Sequence, residues 1–150
     1  MSELQKQFAE EAVRWADKKV PFLHRGETDK GCDCTGLIIG VLSKLGKLKN
    51  YKRMKYKFDW NIHAGACDII TEELLKVGNF ISGEKQKGDI LLFRFGRCNS
   101  HAGVFIEGNK FVHSTGGSMG FCRYGILKNS QWSKRIAGVI RLDEDKISKL

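Results

Sequence analysis

The chain has little that would interrupt or staple a fold. Its 150 residues hold one proline, Pro21, and no Ser/Gly-rich, repetitive or low-complexity tract. A chain of this length buries a sizeable core, and without a linker or repeat it reads as one domain over residues 1–150. No apolar run approaches the roughly 20 residues that span a bilayer, so no membrane insertion is expected. The opening MSELQKQFAEEAVRW carries acids and no apolar stretch of signal-peptide type, so synthesis in the cytoplasm without a signal peptide is expected. Five cysteines lack the spacing of a small secreted scaffold, and all are expected to be free thiols. Acidic residues are also scarce, 17 against 26 Lys plus Arg, for a net charge of +9.

That excess is concentrated in KLKNYKRMKYK (47–57), with six basic residues, two tyrosines and no acid. Cations interleaved with aromatics suit a nucleic-acid backbone, an anionic wall polymer or an acidic protein. A solvated, basic connecting segment is the plainer reading, and nucleic acid is not an expected partner.

Ser2 and Gln5 have capping-box spacing, and Leu4, Phe8, Ala12, Trp15 and Ala16 recur at helical intervals, predicting a helix to about Lys19. From Cys34, the set Leu37, Ile38, Val41, Leu42 and Leu45 predicts a second helix, with Gly46 just past its end. Ala66, Ile69, Ile70, Leu74 and Val77 predict a third, ending at Gly78. The period then changes. DILLFRF (89–95), HAGVFI (101–106), KFVHS (110–114) and RIAGVIRL (135–142) read as strands, with CRYGIL (122–127) a weaker one. Helices followed by strands indicate an α+β fold with an antiparallel sheet, the cysteine helix packed on one of its faces.

The stretch GCDCTGL holds the chemistry. Asp33 stands where an N-cap belongs, which makes Cys34 the first helical residue. A thiol there meets the positive end of the helix dipole and free N–H groups, which favour thiolate and suit a developing oxyanion. Cys32 gains little of this. A small buried side chain is the commonest role of a reduced cysteine, so Cys34 needs a base to be a nucleophile. Zinc is disfavoured, because Cys32 and Cys34 are one residue apart, and no metal or other cofactor is expected.

Of four histidines, His63 has no partner in view and His24 sits in the loop ahead of the cysteine. His101 and His113 lie on successive strands. They share a face only if the hairpin loop has an odd number of residues or carries a bulge. A three-residue loop, Glu107 to Asn109, would place His113 opposite Gly103 and diagonal to His101. His101 would then take the Cys34 proton while His113 orients it.

DCTGLIIGVLSKLG, KGDILLF, SHAGVFIEGNKFVHSTGG and the closing W-x-x-R-x-x-G-V-x-R (Trp132 to Arg141) resemble the NlpC/P60 family of cell-wall cysteine peptidases. The resemblance runs from about Pro21 to Arg141. It implies a papain-like fold, Cys34 as nucleophile, His101 as base, His113 as orienting residue, and hydrolysis of peptidoglycan stem peptides. The bond it points to is that between γ-D-glutamate and diaminopimelate or lysine. Substrate contacts are implied at Phe22, His24, Asp33 and Ser100. Phe22 replaces a tyrosine common in the family, and His24 a frequent aromatic, so these contacts differ from the usual pattern.

GCDC and VPFLHRG further resemble the bacteriophage or gene-transfer-agent branch, whose tail-associated members reach the wall with a particle. Peptidoglycan, and phage tail or other particle proteins, are the partners this implies. A non-catalytic wall-binding tail protein and a thiol amidase or acyltransferase on a small acyl amide are the alternatives.

Overall fold

The computed structural model describes residues 1–53, 69–116 and 119–150. Helix α1 (Glu3–Asp17) opens where the Ser2 hydroxyl accepts the Gln5 N–H at 3.1 Å. The capping box goes no further. The buried Gln5 amide donates instead to the Lys87 carbonyl at 2.8 Å and to Asp89 at 3.2 Å, tying the helix to a distant loop. The helix ends earlier than expected, because Lys19 turns left-handed at φ 53°.

Helix α2 (Cys34–Lys44) is buried all round from Cys34 to Leu42, which makes it the central helix. Gly46 follows its end at φ +80°, as expected of a helix stop. Two glycines inside it let backbone touch backbone. A Cβ on Gly36 would lie 1.7 Å from the Gly26 carbonyl oxygen, and one on Gly40 would lie 2.4 Å from that of Glu27. The helix thereby seats on the small hairpin of β1 (Glu27–Thr28) and β2 (Gly31–Cys32), which presents the nucleophile loop. Helix α3 spans Ile69–Leu75; Ala66, expected to open it, lies outside the described residues.

The main sheet contains β3 (Gly78–Phe80), β4 (Ile90–Phe95), β5 (Cys98–Glu107), β6 (Lys110–Thr115), β7 (Phe121–Ile126) and β8 (Ile136–Leu142). Its order is β3-β8-β4-β5-β6-β7, and every pairing is antiparallel. The strands from β4 onward fall where alternation placed them, and CRYGIL is a full strand. A short helix α4 (Glu144–Ser148), capped by Asp143, follows.

Both faces of the sheet are covered. Phe8, Trp15, Leu37, Ile38 and Leu42 from α1 and α2 pack on Ile90, Leu92, Val104, Val112 and Ile140. Leu91, Phe93, Phe105, Phe111 and Leu127 form the opposite layer, with Trp132 against it. β4 is buried on both sides, hence its unbroken apolar run. Burying each such large side chain contributes roughly 1.5–3 kcal/mol. The GD of KGDILLF and the last Arg of the closing motif meet here. Asp89, fully buried, accepts both arms of the Arg141 guanidinium at 2.9 and 2.8 Å, and the Gln86 N–H at 2.7 Å.

Candidate active site

The hairpin carrying the two histidines closes differently from expectation and reaches the same end. Glu107 pairs with Lys110, leaving a two-residue turn of Gly108 and Asn109 with Gly108 at φ +57°. A positive φ at the first central residue is what a type II′ turn requires, and glycine supplies it. Parity is restored by a bulge between Phe105 and Glu107. Phe105 then faces Phe111 and Val104 faces Val112, so continuation of the register brings His113 opposite Gly103. A Cβ on Gly103 would sit 3.3 Å from that of His113 and 2.8 Å from the Phe111 ring, so the missing side chain makes room for the imidazole. His101 Nε2 and His113 Nδ1 are 2.8 Å apart.

Aromatic rings enclose this pair. Trp132 lies 5.3 Å from His101 and 4.8 Å from His113 between centroids, Phe93 lies 5.7 Å from His101, and Phe111 lies 4.6 Å from His113. Burial, then the neighbouring His113, holds His101 down to about 3. Burial, then the Arg123 guanidinium, holds His113 down to about 4. Both imidazoles are therefore neutral at physiological pH, and one proton is shared across their hydrogen bond. Trp132 and Phe93 were legible only as members of motifs. Their position around the histidines depends on sheet pairings far apart in the chain.

Asp33 caps α2 as expected, its Oδ1 accepting the Gly36 N–H at 2.7 Å. Cys34 is the first helical residue and 8% exposed. Its sulfur accepts from the backbone N–H of Ala102, the residue after His101, and from that of Thr35. Among the described residues, the thiol makes no hydrogen bond to His101 in this resting arrangement. The expectation of a stabilised thiolate is not met. Burial, followed by the Asp33 charge, pushes the thiol up to about 12, against the pull of Ala102, Arg53 and Thr35. The physical reason is one of size. A helix terminus contributes about 0.3–1 kcal/mol, less than the cost of desolvating an ion at such a position.

Cys32 is the bystander: fully buried, it places its sulfur 3.4 Å from that of Cys122, and its thiol is pushed up by that contact and by burial. Cys32, Cys34 and Cys122 are free, but Cys98 is disulfide-bonded, which corrects the reading of all five as free thiols. Cys67 and His63 lie outside the described residues.

The implied substrate contacts divide. Phe22 is half-buried on the loop before β1, its N–H donating to the Gly120 carbonyl at 2.9 Å, and His24 is half-buried two residues on. Ser100 is half-buried beside His101 on β5. Asp33 is 4% exposed with both oxygens occupied inside the chain, Oδ2 by the Arg25 N–H at 2.8 Å, which suits a structural cap rather than a substrate contact. In the basic stretch Lys47, Lys49 and Lys52 are exposed, as expected of a solvated connection, whereas Tyr51 and Arg53 depart from that reading. The Arg53 side chain is buried and the Tyr51 hydroxyl donates to Glu73 at 3.1 Å, while residues 54–57 lie outside the description. Among the described residues no group of three His, Cys, Asp or Glu could hold a metal ion, and no helix is long and apolar enough to cross a membrane.

A cysteine opening a central helix, packed on an antiparallel sheet that carries a bonded pair of histidines, defines a papain-like α+β domain. The chain belongs to the NlpC/P60 family, whose model matches residues 19–141. It is 27% identical over 128 residues to the murein DD-endopeptidase MepS/murein LD-carboxypeptidase of Escherichia coli K12, an alignment covering 81% of this chain and 56% of that protein. The chain thus spans about half the length of that relative. Among solved structures, a Staphylococcus aureus protein similar to lipoprotein of the NLP/P60 family superposes with a TM-score of 0.61 at 22% identity, covering 95% of this chain and 42% of that one. The NlpC/p60 domain of the peptidoglycan hydrolase SagA superposes with a TM-score of 0.58 at 15% identity, covering 92% of this chain and 98% of that one.

Proposed function

We propose that this chain is a cysteine peptidase that hydrolyses peptidoglycan stem peptides, at the bond between γ-D-glutamate and diaminopimelate or lysine. The observation that carries the proposal is the 2.8 Å contact of His101 Nε2 with His113 Nδ1, beside a capped-helix cysteine. In the tautomer the chemistry requires, His101 Nε2–H donates to His113 Nδ1, which leaves His101 Nδ1 as a free acceptor. As the Cys34 sulfur bonds to the scissile carbonyl carbon, its proton passes to His101 Nδ1. The resting thiol is neutral, so charge develops on sulfur only during attack. The N–H groups of Gly36 and Leu37 are taken by Asp33, so the Cys34 N–H at the start of α2 is the donor assigned to the developing oxyanion. Collapse breaks the C–N bond, His101 returns the proton to the leaving amine, and a thioester remains on Cys34. Water, deprotonated by His101, then releases the acid and restores the thiol.

The finer part of the proposal is association with a phage-type particle, supported by the likeness of GCDC and VPFLHRG to that branch. Synthesis in the cytoplasm and uptake into a particle follow from it, with tail or other particle proteins as partners. A competing reading, a wall-binding tail protein without turnover, draws on the 8% exposure of Cys34. Digestion of purified peptidoglycan separates them. Fragments identified by mass should show cleavage after γ-D-glutamate with one new amino terminus each. Intact wall, or cleavage confined to the glycan, would sink the peptidase reading.

A further inference from the structure

A buried cation sits directly behind the nucleophile. The Arg53 side chain is 7% exposed, and its Nη2 donates to Asp33 Oδ1 at 3.0 Å and to the Thr35 hydroxyl. Asp33 and Thr35 are the two neighbours of Cys34 in the chain. Nη1 donates to the Gly26 carbonyl at 3.2 Å, the same oxygen against which Gly36 packs. Nε faces Glu73 Oε1 at 3.4 Å, on α3, where the Glu73 side chain is 1% exposed.

We propose that Arg53 is a positioning residue of the thiol centre, holding the residues on both sides of Cys34 and offsetting the Asp33 carboxylate so that negative charge can develop on the sulfur. This rests on the reading of Cys34 as the nucleophile. The fold needs Asp33 as the cap of α2, yet a fixed anion one residue from a nucleophilic sulfur opposes the thiolate. A cation bound to that same carboxylate oxygen resolves the conflict. Among the described residues, the charged groups acting on the sulfur are Asp33, which disfavours the thiolate, and Arg53, which favours it. The planar fork suits the task, because one guanidinium spans Asp33, Thr35, Gly26 and Glu73, which an ammonium on a flexible stem would not. An ion pair that only held the fold together would have no reason to grip both flanks of the reactive residue.

The test is the rate of Cys34 alkylation by iodoacetamide at fixed pH, read by mass spectrometry, which follows the thiolate fraction and needs no wall substrate. Asp33→Asn keeps an oxygen for the Gly36 N–H and removes the opposing charge, so it should be several-fold faster than wild type. Arg53→Met should be about tenfold slower, the effect of roughly one pKa unit. The double variant Asp33→Asn/Arg53→Met should return to within about threefold of wild type, because both charges are gone. A merely structural role would not be rescued by Asp33→Asn, so a double variant as slow as Arg53→Met would overturn the proposal, as would an Arg53→Met rate equal to wild type. Should Arg53→Met fail to fold, the double variant against Asp33→Asn carries the test, and equal rates overturn it. Alkylation that behaves as expected beside uncleaved peptidoglycan would retain the role of Arg53 and discard the peptidase reading. Peptidoglycan cleavage with unmoved alkylation rates would do the reverse.

Discussion

Truncation of His113 separates an orienting residue from a buried bystander. His113 is 2% exposed, packs on Phe111 and Trp132, and meets His101 at 2.8 Å. His113→Ala removes the acceptor for His101 Nε2–H and leaves that proton facing a cavity. A lost hydrogen bond is worth about 1 kcal/mol, and a buried donor left unsatisfied costs about 1–3 kcal/mol. If the transition state carries about 1.4–2.8 kcal/mol of that loss, kcat falls about 10- to 100-fold. His113→Asn puts its side-chain oxygen where Nδ1 stood, so it should keep the orientation and stay within about tenfold of wild type. The assay is steady-state release of amino termini from a soluble stem peptide, with circular dichroism confirming that each variant is folded. KM should change little. Folded His113→Ala with kcat within twofold of wild type would refute the orienting role, and so would equal losses in Ala and Asn.

Other consequences follow from the same geometry. His101 and His113 are held down to about 3 and about 4, below their ordinary value near 6.5, so the unfolded chain binds more protons in that window. Their contribution to stability is present above about pH 6.5 and is lost as pH falls toward 4; Tm should drop over that range, less so in His113→Asn, and a flat Tm in wild type would contradict it. Gly103→Ala places a methyl 2.8 Å from the Phe111 ring and 3.0 Å from the Val112 carbonyl oxygen, so it should destabilise the fold by about 1–3 kcal/mol in urea titration and lower kcat through the histidines. Cys32 and Cys122 should stay unmodified by iodoacetamide in the native protein and react only after denaturation, which mass mapping checks directly.

Alternation and periodicity carried most of the fold because this sheet is antiparallel and its helices are amphipathic or central. DILLFRF, KFVHS and RIAGVIRL map onto β4, β6 and β8 within a residue or two. The two-residue strands β1 and β2 and the short α4 give too few residues for any period to show. The pairing of His101 with His113 was legible through strand parity, but the route to it was not. Nothing in EGNK says whether the extra residue belongs to the turn or to a bulge, and the structure puts it in a bulge. The burial of Arg53 is not legible in the sequence, because a run of cations reveals local charge and not the buried carboxylates 20 residues away on either side. The upward shift of the Cys34 thiol is hidden from the sequence for a related reason. A cap motif reveals the helix terminus, whereas burial depends on what the sheet brings against it.

The most direct measurement of the central claim compares wild type with Cys34→Ala and His101→Ala for release of new amino termini from purified peptidoglycan, at matched folding. The account predicts release by wild type and a loss of at least about a thousandfold in each variant, since a nucleophile and its base act as one unit. Undiminished release by Cys34→Ala, or no release by the wild-type chain, would contradict it.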